Sequence, residues 1–139
     1  MPPVYRVDRL EKALSELCQS QDGAQGAVIV SVEGFVVASY PPGDQGFVDN
    51  ITADSSQVAA MASTLLSLSE RTLARLEMGD GSIGRLLIEG SEGSIIVVPL
   101  SEQAALTILL DDEAKIGVAL YAAQRTAQQI RLILEGNAK

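Results

Sequence analysis

Histidine is absent from this chain of 139 residues, and cysteine occurs once. Without imidazole neither a Ser-His-Asp centre nor a histidine metal site can be assembled, and one thiol cannot build a thiolate cage or an internal disulfide. No catalytic residue, metal ligand or bound cofactor is therefore expected. Positive charge is also scarce, with 10 Lys plus Arg against 18 Asp plus Glu and a net charge of −8. Nucleic acid and anionic membranes both demand clustered positive charge, so the expected partner is another protein. No uninterrupted apolar run approaches the roughly 20 residues needed to cross a bilayer. The opening residues Met1-Pro2-Pro3-Val4-Tyr5-Arg6 lack an apolar signal core, which predicts a cytoplasmic location without membrane insertion. Aromatic residues make up only 4%, and few buried polar anchors accompany them, which weakens the case for a small-molecule sensor pocket.

What the chain does have is apolar content, 47% of its residues, at a length that buries one core and leaves little for a second. The expectation is a single domain over residues 1–139. Asp8 and Glu11 fit a reciprocal capping box, and Leu10, Ala13, Leu14, Leu17 and Cys18 then recur at helical spacing. At that spacing Cys18 reads as a small buried hydrophobe. Asp22-Gly23 closes the helix. Residues 27–30 and 35–38 are short and β-branched, separated by Glu33-Gly34, and read as an antiparallel hairpin ended by Pro41-Pro42-Gly43. After a polar, turn-rich stretch at 43–51, Asp54 or Ser55 caps a second helix running to about Met78, where Gly79 stops it. Strands are expected near 83–88, 95–98 and 105–110, divided by Gly90-Ser91-Glu92-Gly93 and Leu100-Ser101-Glu102-Gln103. A last helix begins near Asp112. It carries Ile116, Ala119, Leu120, Ala123, Ala127, Ile130 and Leu134 on one face and Gln124, Arg125, Gln128, Gln129 and Arg131 on the others.

The resulting fold class is α+β in the order αββαβββα, a five-stranded, largely antiparallel sheet between helical layers. Residues 27–30, 95–98 and 106–110 are apolar almost without alternation, so these strands should be covered on both faces. Short connections allow only hairpins on either side of one helical crossover.

The middle helix carries more apolar surface than one sheet contact requires. Val58, Met61, Ala62, Leu65, Leu66, Leu68, Leu73 and Leu76 span an arc of about 160°. Ala60, Ser63, Ser67 and Ala74 form a small-residue strip opposite, bordered by Glu70, Arg71 and Arg75. Such a helix is either well buried within its own monomer or shared with a second copy, and two-fold pairing is the commonest way to bury such a surplus. The strand after it, Ile83-Gly84-Arg85-Leu86-Leu87-Ile88-Glu89, is suited to a sheet edge that a partner's equivalent strand completes. The expected dimer interface is Val58, Met61, Leu65, Leu68, Ile83, Arg85 and Leu87.

Three motifs read as structural. Gly79-Asp80-Gly81-Ser82-Ile83-Gly84 has the glycine spacing of a dinucleotide-binding loop, but here a helix precedes it and a strand follows, the reverse of the required order. No phosphate-binding loop ending in Gly-Lys and Ser or Thr exists. The carboxylates Asp111-Asp112-Glu113 fall where the last helix is expected to begin, so dipole capping is favoured over metal binding. Asn50-Ile51-Thr52 matches a glycosylation acceptor by pattern only.

The element order, the Glu33-Gly34-Phe35-Val36-Val37-Ala38 turn and strand, and residues 105–111 leading to Lys115-Ile116-Gly117 together resemble the Roadblock family of dynein light chains and bacterial GTPase regulators. Ala59-Ala60-Met61-Ala62-Ser63-Thr64-Leu65-Leu66-Ser67-Leu68 is similar to the middle helix of prokaryotic members found beside Ras-like GTPases. The resemblance implies a fold related in shape to profilin, and a homodimer in which middle helices pack together and third strands join two sheets. It also implies a non-catalytic role: binding a small Ras-like GTPase and modulating its nucleotide cycle, as activator or effector, by remodelling the switch region. Arg71, Arg75 and Arg85 match no catalytic motif. A passive dimeric scaffold for a signalling or motility complex is the alternative.

Overall fold

The computed structural model describes residues 3–43, 47 and 53–136. The elements run α1 (Pro3–Ser20), β1 (Ala24–Ser31), β2 (Val36–Tyr40), α2 (Ser55–Arg75), β3 (Leu86–Glu89), β4 (Gly93–Pro99), β5 (Ala104–Asp111) and α3 (Ile116–Leu134). The five strands form one sheet in the order β2-β1-β5-β4-β3, with every neighbouring pair antiparallel. The expected αββαβββα order and all three hairpins are therefore present.

Strand alternation divides the core into two layers, because successive side chains point to opposite faces. Ala27, Ile29, Ile96, Val98, Leu106 and Ile108 pack with Leu10, Leu14 and Leu17 of α1 and Ala123, Ala127 and Ile130 of α3. Val28, Val30, Val97, Ala105 and Leu109 pack on the other face with Val58, Ala59, Ala62 and Leu66 of α2. Two helices thus cover one face of the sheet and a single helix covers the other. That inequality positions the candidate site.

Several boundaries differ from the sequence reading, and β1 begins at Ala24, not Ala27. α1 begins at Pro3, not at Asp8; proline fits a first helical turn, where its missing N–H has no partner to lose, so Asp8 lies within the helix and caps nothing. α2 has the expected Asp54 cap, its carboxylate accepting from the Gln57 amide while Gln57 accepts from the Asp54 amide, both at 2.9 Å. It ends at Arg75, earlier than Met78, because Glu77 turns into the left-handed region at φ 54°. The Met78 amide then donates to the Leu73 carbonyl and the Glu77 amide to the Ala74 carbonyl, the paired bonds of a Schellman ending.

β3 begins at Leu86, later than Ile83. α3 begins at Ile116 behind Lys115, with no side-chain cap. Within the polar stretch, Phe47 is buried against the α2 layer. A Cβ on Gly26 would collide with its ring and come within 2.9 Å of the Tyr40 carbonyl. The Asn50-Ile51-Thr52 pattern lies outside the described residues.

Candidate protein interaction face

α2 splits its apolar arc between two surroundings. Val58, Ala59, Ala62 and Leu66 occupy about 100° of the helix circumference and are buried on the sheet. Met61, Leu65 and Leu68 occupy the adjoining sector, about 60° wide, and the protomer does not cover it. Met61 is 52% exposed and Leu68 53%, with Leu65 half-buried. Past the helix end, Leu76 and Met78 are exposed as well.

Beside this stripe runs a groove of about 760 Å³, walled by Met61 and Leu65 on one side and by Ile88, Ile95 and Leu109 on the sheet. It exists because α2 lies towards β1 and β2, leaving the β3 side of the same sheet face only partly covered, with Ile95 half-buried and Ile88 exposed. Thr107 lines it from the central strand β5, its buried hydroxyl without a partner. Its far rim carries Glu92, Asp112 and Glu113. The groove ends at β3, an edge strand that pairs only with β4 among the described strands.

The expected interface residues fall into two groups. Met61, Leu65, Leu68 and Arg85 each present surface to solvent, while Val58 is 5% exposed and belongs first to the protomer's own core. Ile83 is half-buried against the α2 layer. Leu87 faces the opposite layer, packed with α1 and α3 residues. The small-residue strip is in part occupied within the chain, since the Gly34 turn packs over Ala60 and Ser63.

The carboxylate cluster does not cap α3. Asp111 ends β5: its Oδ1 accepts from the Glu113 amide at 2.9 Å, its Oδ2 accepts from Gln25 Nε2 at 3.0 Å, and its amide donates to the Gly23 carbonyl at 2.8 Å. An aspartate that closes a turn on its own following backbone is committed before the helix starts. Among the described residues, no three carboxylate, cysteine or histidine side chains are grouped to hold a metal ion. The 79–84 glycine loop follows a helix and precedes a strand, as its sequence implied. Asp80 there accepts from the Ser82 hydroxyl and amide, which holds its carboxyl below the ordinary range.

Two features escaped sequence reasoning. Arg131, assigned to the polar side of α3, donates from Nε to the Leu100 carbonyl at 3.0 Å and from Nη2 to the Pro99 carbonyl at 2.7 Å, pinning the helix to the end of β4. On the outer side of α3, Val118, Tyr121 and Leu132 are exposed, with Arg125 5.9 Å from the Tyr121 ring. Their spacing was visible as apolar residues off the main helical face, a weak signal by itself.

A family model for the Roadblock/LC7 domain matches residues 10–110, which span α1 through β5. The chain belongs to the Roadblock/LC7 family. The uncharacterized protein MJ1340 of Methanocaldococcus jannaschii is 31% identical over 122 residues, covering 88% of this chain and 96% of that protein. The gliding protein MglB of Thermus thermophilus superposes with a TM-score of 0.81 at 19% identity, over 94% of this chain and 92% of that one. A structure of MglB with tetrameric arrangement gives 0.81 at 20% identity, over 96% and 93%. At these identities the solved structures establish the shared Roadblock fold. No helix among the described residues is long and apolar enough to cross a membrane.

Proposed function

We propose that this Roadblock/LC7 protein is a homodimeric, non-catalytic regulator that binds a small Ras-like GTPase and modulates its nucleotide cycle. The observation that carries the reading is the bare stripe of Met61, Leu65 and Leu68 beside an open β3 edge. A second copy shields both at once, by packing α2 on α2 and adding strand to strand. The resemblance to prokaryotic regulators found beside Ras-like GTPases supplies the partner class. The tetrameric arrangement of one MglB relative supports self-association as a habit of the fold.

Regulation requires unequal affinity for two GTPase conformations, since a protein that binds both equally shifts nothing. The test mixes purified protein with the Ras-like GTPase encoded nearest to it, loaded in turn with GDP and a non-hydrolysable GTP analogue. Preferential binding of one state, with a changed hydrolysis rate, is the expected result. Binding without nucleotide preference assigns the scaffold reading instead. The exposed Val118, Tyr121 and Leu132 favour that second reading, because they leave an apolar surface on the sheet face away from α2. No complex in either state removes the GTPase from the account.

A further inference from the structure

The charges around the α2 groove are unequally placed. Arg71 and Arg75 stand exposed in the C-terminal turns of α2, beside Leu68 and Thr72. Glu92, Asp112 and Glu113 stand exposed at the other end, where the groove meets Ala53 and Val58 at the helix start. None of the five forms an ion pair among the described residues, so among these residues each group's charge is unanswered. One face therefore has a basic end and an acidic end, with an apolar stripe between them.

A two-fold axis that joins β3 edges into one continuous sheet stands perpendicular to that sheet, and it necessarily sets the two α2 helices antiparallel. The basic end of each protomer then lies over the acidic end of the other. A parallel arrangement would stack arginines on arginines and carboxylates on carboxylates, which is repulsive.

We propose that the partner's Arg71 and Arg75 pair across the interface with Glu92, Asp112 and Glu113, a reciprocal clamp that fixes the register of the antiparallel dimer. This rests on the homodimer proposed above and adds to it the contact that sets its register. The clamp works against a background: each copy carries a net charge of −8, so two copies repel at long range. Salt weakens both terms. Wild-type dimerisation should thus depend little on ionic strength, and loss of the clamp should expose the repulsion alone.

The experiment measures dimer dissociation constants by sedimentation velocity at about 50 mM and about 500 mM salt, where screening lengths differ severalfold. The variants are Arg71→Glu/Arg75→Glu, the same pair combined with Glu92→Lys/Asp112→Lys/Glu113→Lys, and a control, Lys12→Glu/Arg125→Glu. The control adds equal negative charge at exposed positions on the α1 and α3 side. Expected is about a tenfold weaker dimer for the α2 reversal at low salt, recovering at high salt, with the control changed by no more than about twofold. The combined swap restores affinity to within about threefold of wild type.

A second readout does not depend on affinity. In a Cys18→Ala background, mixing an Arg75→Cys protomer with a Glu113→Cys protomer should give a disulfide-linked pair on mild oxidation. If Arg75→Cys instead links to itself, or if the reversal is no weaker than the control, the clamp is overturned while the dimer stands. If wild type stays monomeric at micromolar concentration, the dimer itself is wrong and the clamp falls with it.

Discussion

At the scale of single residues, Cys18 shows how burial sets chemistry. It is 7% exposed, and burial pushes its thiol up from 9.0 to about 12, so it stays protonated and inert at neutral pH. Native protein should resist labelling by a thiol reagent until it is unfolded. The sign for stability follows: a group whose folded value is raised contributes fully below its unfolded value and is lost as pH rises through the folded one. Wild-type stability should therefore decline between about pH 9 and about pH 12 more steeply than that of Cys18→Ala, as measured by urea denaturation.

Glu77 makes an opposite case, an L-residue held at φ 54° where a helix ending favours glycine. Glu77→Gly should raise stability by roughly 0.5–1 kcal/mol, the left-handed penalty relieved less the entropy that glycine loses. Arg131→Met should cost roughly 1–3 kcal/mol in chemical denaturation, since it removes both donations to the end of β4.

At the scale of elements, most of what was legible in the sequence was periodicity. The apolar stripe of α1 predicted Leu10, Ala13, Leu14, Leu17 and Cys18 as core, and all five are buried. Helix starts were harder, because a capping pattern such as Asp8 with Glu11 also occurs inside a helix that proline has already begun. The excess on α2 was visible in its arc, but which part the sheet would take was not: that depends on where the helix comes to lie, over β1 and β2 and away from β3. The exposed half now gives a sharper test than the arc did. Leu68→Asp, at a position 53% exposed in the protomer, should leave the protomer folded by circular dichroism. It should also abolish the dimer in sedimentation, because a charge buried in an apolar contact costs several kcal/mol. An unchanged dimer in both Leu65→Asp and Leu68→Asp would place the interface elsewhere.

At the scale of the whole molecule, the governing fact is the imbalance of its layers, two helices over one face of the sheet and one over the other. A domain of this build gains stability from whatever covers the exposed Met61 and Leu68 stripe, and that gain follows mass action. The thermal midpoint should therefore rise by several degrees over a roughly hundredfold range of protein concentration, and a midpoint independent of concentration would count against a stabilising dimer.

Element order, hairpin pairing and the missing chemistry of histidine were determined by the sequence alone, because they depend on local spacing and on residue types that are present or absent. Strand order, with β1 beside β5 and β3 left at an edge, depended on contacts between residues far apart along the chain. The same holds for Asp111 closing a turn with Gln25 and Gly23, and for Arg131 reaching β4. Local propensity carries no information about which distant partner a backbone edge or a long side chain will meet. Only the packed fold decides it, and with it the face the protein leaves open.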